Sequence, residues 1–81
     1  MVCIATFYSH FGAMRFKKDC DRRGIPARLM PVPRDLSSSC GTCVRYEGGT
    51  ACPTEDWPEE MEQAVAVTGE GYQTLWRAEH S

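Results

Sequence analysis

Extended and helical hydrophobic patterns alternate along the chain in the order β-α-β-β-α-β. That order predicts an α+β fold, most economically a ferredoxin-like sandwich with two helices on one face of a four-stranded antiparallel sheet. Three observations carry the prediction. Val2 to Tyr8 is apolar on both faces of an extended chain, a helical stripe follows and stops at Gly24 and Pro26, and no repeat or low-complexity linker divides the remainder. The 81 residues are expected to form one small domain spanning 1–81. A chain this short buries only ~60% of its unfolded surface, which excludes a deep cleft between domains and places any chemistry near the surface.

Val2 to Tyr8 reads as a strand with Cys3, Ala5 and Phe7 on one face and Val2, Ile4, Thr6 and Tyr8 on the other. Two apolar faces mark a central strand whose second face needs a cover, a second subunit being one candidate. Ser9 or His10 starts a helix that runs to Arg23, with Ala13, Phe16 and Cys20 on its apolar stripe and Arg15, Lys18, Asp19 and Arg22 opposite. Ile25 to Val32 is a second strand, placed at an edge by Pro31 and Pro33. Arg34 to Gly41 is loop chemistry, and Thr42 to Glu47 is extended again. Thr54 and Asp56 are capping candidates for a second helix, with Pro58 in its first turn, continuing through Met61, Ala64, Val65 and Val67 to Gly69. Tyr72 to Ala78 closes the chain as a strand. In this topology Ser9 and His10, the Cys40 loop and Gly69 to Gly71 gather at one edge.

The net charge of −2 hides a division: residues 1–45 carry eight basic residues against three acids, and residues 46–81 carry one against eight. The basic half suits an anionic ligand or an acidic partner, docking on the helix that carries Arg15, Lys17, Lys18, Arg22 and Arg23, although the same charges also read as a solvated face. The chain lacks the strongly basic balance of a nucleic-acid binder, and no stretch approaches the ~20 apolar residues of a membrane span. The apolar start is short and lacks a basic leader, so a cytoplasmic location with reduced thiols is expected for the five cysteines.

Cys3 and Cys20 fall on apolar faces and read as packing. Cys40 does not. It follows Ser37, Ser38 and Ser39 and precedes Gly41, and this run offers hydroxyl and amide donors that can hold a thiolate or an anion, with a glycine that permits a turn or a close approach. Near the start of the first helix, and near His10 or Arg34, Cys40 would have its pKa lowered. The bland alternative is a serine-rich loop that contains a cysteine. Cys43 completes Cys40-Gly41-Thr42-Cys43, a C-x-x-C pair for which disulfide formation, persulfide resolution and metal binding compete. In a regular strand Cys40 and Cys43 would point to opposite faces, so the reading favours Cys40 acting alone with Cys43 as a resolving thiol in reserve. Cys40, Cys43, Cys52 and His10 could supply four zinc ligands, but no second paired cluster exists, and no metal is expected. His10 also fits a helix cap or an exposed position. Trp57 and Trp76 read as packing, on the core or on the open sheet face. His80 lies at the end of the sequence and is expected to be disordered.

The run from Gly24 to Gly41, with Pro33-Arg34-x-Leu36-Ser37-Ser38-x-Cys40-Gly41 at its centre and Thr6-Phe7-Tyr8-Ser9 before it, resembles the small bacterial family named putative selenium/sulfur carrier protein-like. The similarity covers residues 2–70 and departs from the family pattern at Cys43 and at Cys52-Pro53. The resemblance implies a thiol on Cys40 that carries sulfur or selenium as a persulfide or selenosulfide, with donor and acceptor proteins of sulfur or selenium metabolism as partners and no cofactor beyond the covalent chalcogen. In that reading Ser37, Ser38, Ser39, Gly41, Arg34 and His10 assist Cys40, and the protein is a carrier rather than a stand-alone enzyme. The alternatives are a dithiol redox protein using Cys40 and Cys43, or a zinc-binding or redox-sensing module that dimerises through its open sheet face.

Overall fold

The computed structural model describes residues 1–36, 38, 40–48 and 60–78. Its elements are β1 (Val2–Phe7), α1 (His10–Arg22), β2 (Ala27–Pro31), β3 (Thr42–Glu47), β4 (Met61–Thr68) and β5 (Gly71–Arg77). All strands join one antiparallel sheet in the order β2-β3-β1-β4-β5.

β1 is central because it is apolar on both sides. Cys3, Ala5 and Phe7 are buried on the helix side together with Val44, Tyr46, Ala64 and Ala66. Onto this face α1 lays Ala13, Phe16 and Cys20, the stripe expected from their helical spacing. Phe16 sits between Phe7 and Tyr46, with ring centroids 5.4 and 5.2 Å away, the second in an edge-on arrangement. The Ser9 hydroxyl accepts a hydrogen bond from the Gly12 amide (3.1 Å) and caps the helix start, and Gly24 follows the helix end with φ of 73°. Trp76 packs half-buried against this core. Among the described residues no helix is long and apolar enough to cross a membrane.

The two-helix ferredoxin-like expectation is overturned. β3 does lie between β1 and β2, but the described residues contain one helix and five strands. The second helix expected over Thr54 to Gly69 instead contributes β4 from Met61, while 54–59 lie outside the described residues. The physical reason is visible in the pairing. β3 satisfies one edge of β1, and without β4 the other edge of this buried strand would leave its amides and carbonyls unpaired. Met61 to Thr68 also contains Val65, Val67 and Thr68, whose β-branching favours an extended chain. A bulge near Glu62 shifts the register between Thr6↔Gln63 and Phe7↔Met61, which breaks simple alternation and lets the segment imitate a helical spacing. Gly69 and Glu70 then form a hairpin turn into β5 rather than a helix stop.

Two close contacts place Glu60 beside the start of α1. Its carbonyl accepts from the Tyr8 amide (2.9 Å), and a Cβ on Gly12 would lie only 2.5 Å from the Glu60 Cβ. The apolar sandwich around Phe16 is the principal helix-to-sheet contact. We therefore predict that Phe16→Ala costs about 3–5 kcal/mol in urea denaturation, and that Phe16→Leu, which keeps most of the apolar volume but loses both ring contacts, costs less than Phe16→Ala.

Candidate functional site at the Cys40 loop

The second face of β1 is covered by the chain itself. Ile4, Cys43 and Val65 are buried there, and Val32 and Leu36 from the loop between β2 and β3 pack on them beside Met30 and Tyr72. Pro31 and Pro33 end the β2 ladder, and the chain turns as the Leu36 amide donates to the Pro33 carbonyl (3.1 Å). The Val32 amide donates to the Gly41 carbonyl (3.1 Å) and closes the base of the loop. The Tyr72 hydroxyl donates to the Asp35 carboxylate (2.9 Å), tying the loop to β5. That hydrogen bond, followed by burial and nearby negative charge, pushes the Tyr72 pKa above its ordinary value of 10.0. Residues 32–36 thus form a strap across the sheet, and Cys40 follows it.

Cys40 is half-buried, whereas Cys3, Cys20 and Cys43 are buried, and all four are free thiols. The Cys40 amide donates to the Ser38 hydroxyl (3.2 Å), a local turn that shapes the backbone under the thiol. Thr42 begins β3, and its hydroxyl lies 3.1 Å from His10 Nδ1. The start of α1 and the Cys40 loop therefore meet at one end of the sheet, as expected. The Gly69 to Gly71 turn does not join them, because β4 runs antiparallel to β1 and carries it to the opposite end.

Cys43 differs sharply from Cys40. Its side chain is inaccessible under the strap, and its Sγ–H points to the Pro31 carbonyl at 3.7 Å. Burial, reinforced by negative charge at Cys40, pushes its pKa from 9.0 up to about 11. Such a thiol is protonated and unreactive at neutral pH. The opposite-face argument for this pair does not apply, because Cys40 lies in the loop before the strand begins.

The remaining expected site residues divide by position. Arg34 is exposed in the turn of the strap, Ser38 orders the Cys40 backbone, and His10 is engaged by Thr42. Gly41 is exposed with a negative φ, and a Cβ there would meet nothing within 4 Å, so neither an unusual conformation nor a close approach explains it. Ser37, Ser39, Cys52, Trp57 and His80 lie outside the described residues. Among the described residues no group of three or more His, Cys, Asp or Glu is placed to hold a metal. Thr42, Asp35 and Tyr72 were not anticipated. The one signal for the strap was apolar Val32 and Leu36 within an otherwise polar loop, opposite a strand whose Ile4 needed cover.

A family model described as "Putative Se/S carrier protein-like" matches residues 2–65, from β1 into β4 and across the whole Cys40 loop. The chain belongs to that family. No curated protein and no solved structure matches it significantly. The family's name speaks of carrying selenium or sulfur, and the matched segment contains the half-buried thiol.

Two predictions follow from the geometry. With iodoacetamide at pH near 7, Cys40 is expected to alkylate in the native state and Cys43 only on unfolding, with Tyr72→Phe speeding Cys43 alkylation by loosening the strap; peptide mass mapping reads both. The raised Cys43 pKa also sets a pH dependence. The unfolded thiol ionises near 9.0 and the folded one near 11, so its contribution is complete below pH 9 and is lost as pH rises from 9 to 11. Denaturation curves across that window should show a smaller alkaline loss in Cys43→Val.

Proposed function

We propose that the protein carries sulfur or selenium as a persulfide or selenosulfide on Cys40 and hands it to a partner protein. The observation that carries this reading is the contrast between Cys40, the one described cysteine that is not buried, and Cys43, which is sealed beneath the strap. Membership of the carrier-like family supports it.

The chemistry is thiol exchange. The Cys40 thiolate attacks the terminal sulfur of a donor persulfide, R–S–SH. A new S–S bond forms to Cys40 as the donor's S–S bond breaks, leaving Cys40–S–SH and R–S⁻. An acceptor nucleophile then takes the terminal sulfur and returns the Cys40 thiolate, and selenium follows the same course. The Ser38 hydroxyl and the loop amides are the groups available to steady the terminal anion, with Ser37, Ser39 and Gly41 as further candidates. No metal or organic cofactor enters this scheme.

A dithiol reading draws on the electrostatic coupling between Cys40 and Cys43, yet the buried, protonated Cys43 is a poor attacking group until the strap opens. Intact-mass analysis after incubation with glutathione persulfide, and separately with selenite plus excess thiol, discriminates the two. The carrier reading expects one added chalcogen on Cys40, lost in Cys40→Ser and kept in Cys43→Ser. Loading of Cys40→Ser to the wild-type level would sink it, and loss of two hydrogens without an adduct would favour the disulfide.

A further inference from the structure

Most cations of α1 have carboxylate partners, and a second cationic pair stands elsewhere on the fold. On α1, Arg15 pairs with Glu60 (3.0 Å), Lys17 with Asp21 (2.8 Å), and Arg22 and Arg23 both with Asp19 (2.6 and 3.1 Å). Four of the five cations expected to receive an acidic partner are thus engaged by three of the chain's own carboxylates, Asp19 serving two of them, with Lys18 outside these pairs. Two other arginines are differently placed. Arg28 on β2 and Arg45 on β3 are direct cross-strand partners, both exposed. Ala27 and Tyr46 beside them pack toward the helix-side core, so Arg28 and Arg45 project from the opposite face, the one the strap crosses.

Like charges directly opposite one another in an antiparallel pair repel, and a fold gains nothing from them unless an anion joins. Neither guanidinium has a carboxylate partner among the described residues. Two nearby acids among the described residues have other partners: Glu47 lies 3.8 Å from the Met1 amino group, and Asp35 accepts from Tyr72. Both arginines also stand on the two strands whose connecting loop holds Cys40. A protein that reaches this thiol must approach the same hairpin.

We propose that Arg28 and Arg45 form the docking site for an acidic surface segment of the protein that exchanges chalcogen with Cys40. The inference rests on the carrier reading for the identity of that partner. The site takes carboxylate side chains, which two planar guanidinium forks bind bidentately, and the Arg28↔Arg45 pair stands three ladder positions, about 10 Å, from the Pro31↔Thr42 end of the hairpin that leads to Cys40. Transfer from the docked partner, R–S–SH, gives Cys40–S–SH and R–S⁻, with one S–S bond formed and one broken.

The test uses the full chain and two synthetic peptides, each with a central cysteine flanked by glutamates or by glutamines. Fluorescence anisotropy with the cysteine replaced by serine measures docking alone. The glutamate peptide should bind about tenfold more tightly than the glutamine peptide at low salt and lose that advantage in ~1 M salt. Arg28→Gln with Arg45→Gln should abolish the difference, whereas Arg22→Gln with Arg23→Gln should preserve it. Removing a repelling exposed pair should also raise the thermal midpoint slightly, so loss of folding does not imitate the result. Retention of the glutamate preference in the Arg28/Arg45 variant, or its loss in the helix variant, overturns the proposal.

The same peptides as persulfides then report transfer by intact mass. Faster loading of Cys40 from the glutamate peptide, dependent on Arg28 and Arg45, supports the docking site as stated. Docking through the two arginines with no loading from either peptide overturns the carrier reading and, with it, the partner's assigned role. Equal loading from both peptides overturns the docking site and leaves the carrier reading intact.

Discussion

Both faces of β1 are closed to solvent, and most of the architecture follows from closing them. Cys3, Ala5 and Phe7 require a layer on one side, which α1 supplies through Ala13, Phe16 and Cys20. Ile4 and Thr6 require one on the other, and there is no second helix over that face to supply it among the described residues. The strap from Val32 to Leu36 does so instead. Both edges of the strand must also be paired, which draws β3 to one side and β4 to the other.

This makes the strap before Cys40 part of the core rather than an appendage. A small chain has little apolar surface with which to anchor a long loop, and here the anchoring residues stand in the same loop as Cys40. Val32 and Leu36 hold the loop down, Asp35 is tied to Tyr72, and Cys40 emerges immediately afterwards. The burial that seals Cys43 is produced by the same packing. One loop thereby separates two cysteines only three positions apart into a half-buried thiol and an inert one, a distinction set by solvent access rather than by spacing.

The ion pairs of α1 have a comparable role. Exposed pairs of this kind add little to stability, but they offset part of the field of a helix that is strongly basic in composition. Arg28 and Arg45 stand apart from these pairs, because neither has a carboxylate partner among the described residues. Composition records charges without their partners, and so it does not separate paired cations from unpaired ones.

Much of the first half was legible in the sequence because its signals are local. Periodicity located α1 and its buried stripe, Ser9 was among the residues expected to start the helix, and Thr42 to Glu47 was read as extended over the span that β3 occupies. Cys3 and Cys20 were recognisable as packing and Cys40 as the cysteine with unusual surroundings. Met61 to Thr68 was misread because its residues satisfy two periods, and the choice between them belongs to β1, which lies more than fifty residues away and needs a partner along its open edge. The amino-acid sequence by itself determined where β1, α1 and β3 begin, which cysteine stands apart, and the family motif that surrounds it. Only the tertiary structure decided that Val32 and Leu36 cover the sheet, that Cys43 is sealed beneath them, and which arginines have no counter-ion among the described residues. Those properties depend on which distant residues meet, and solvent exclusion and charge pairing are set by that meeting rather than by position along the chain.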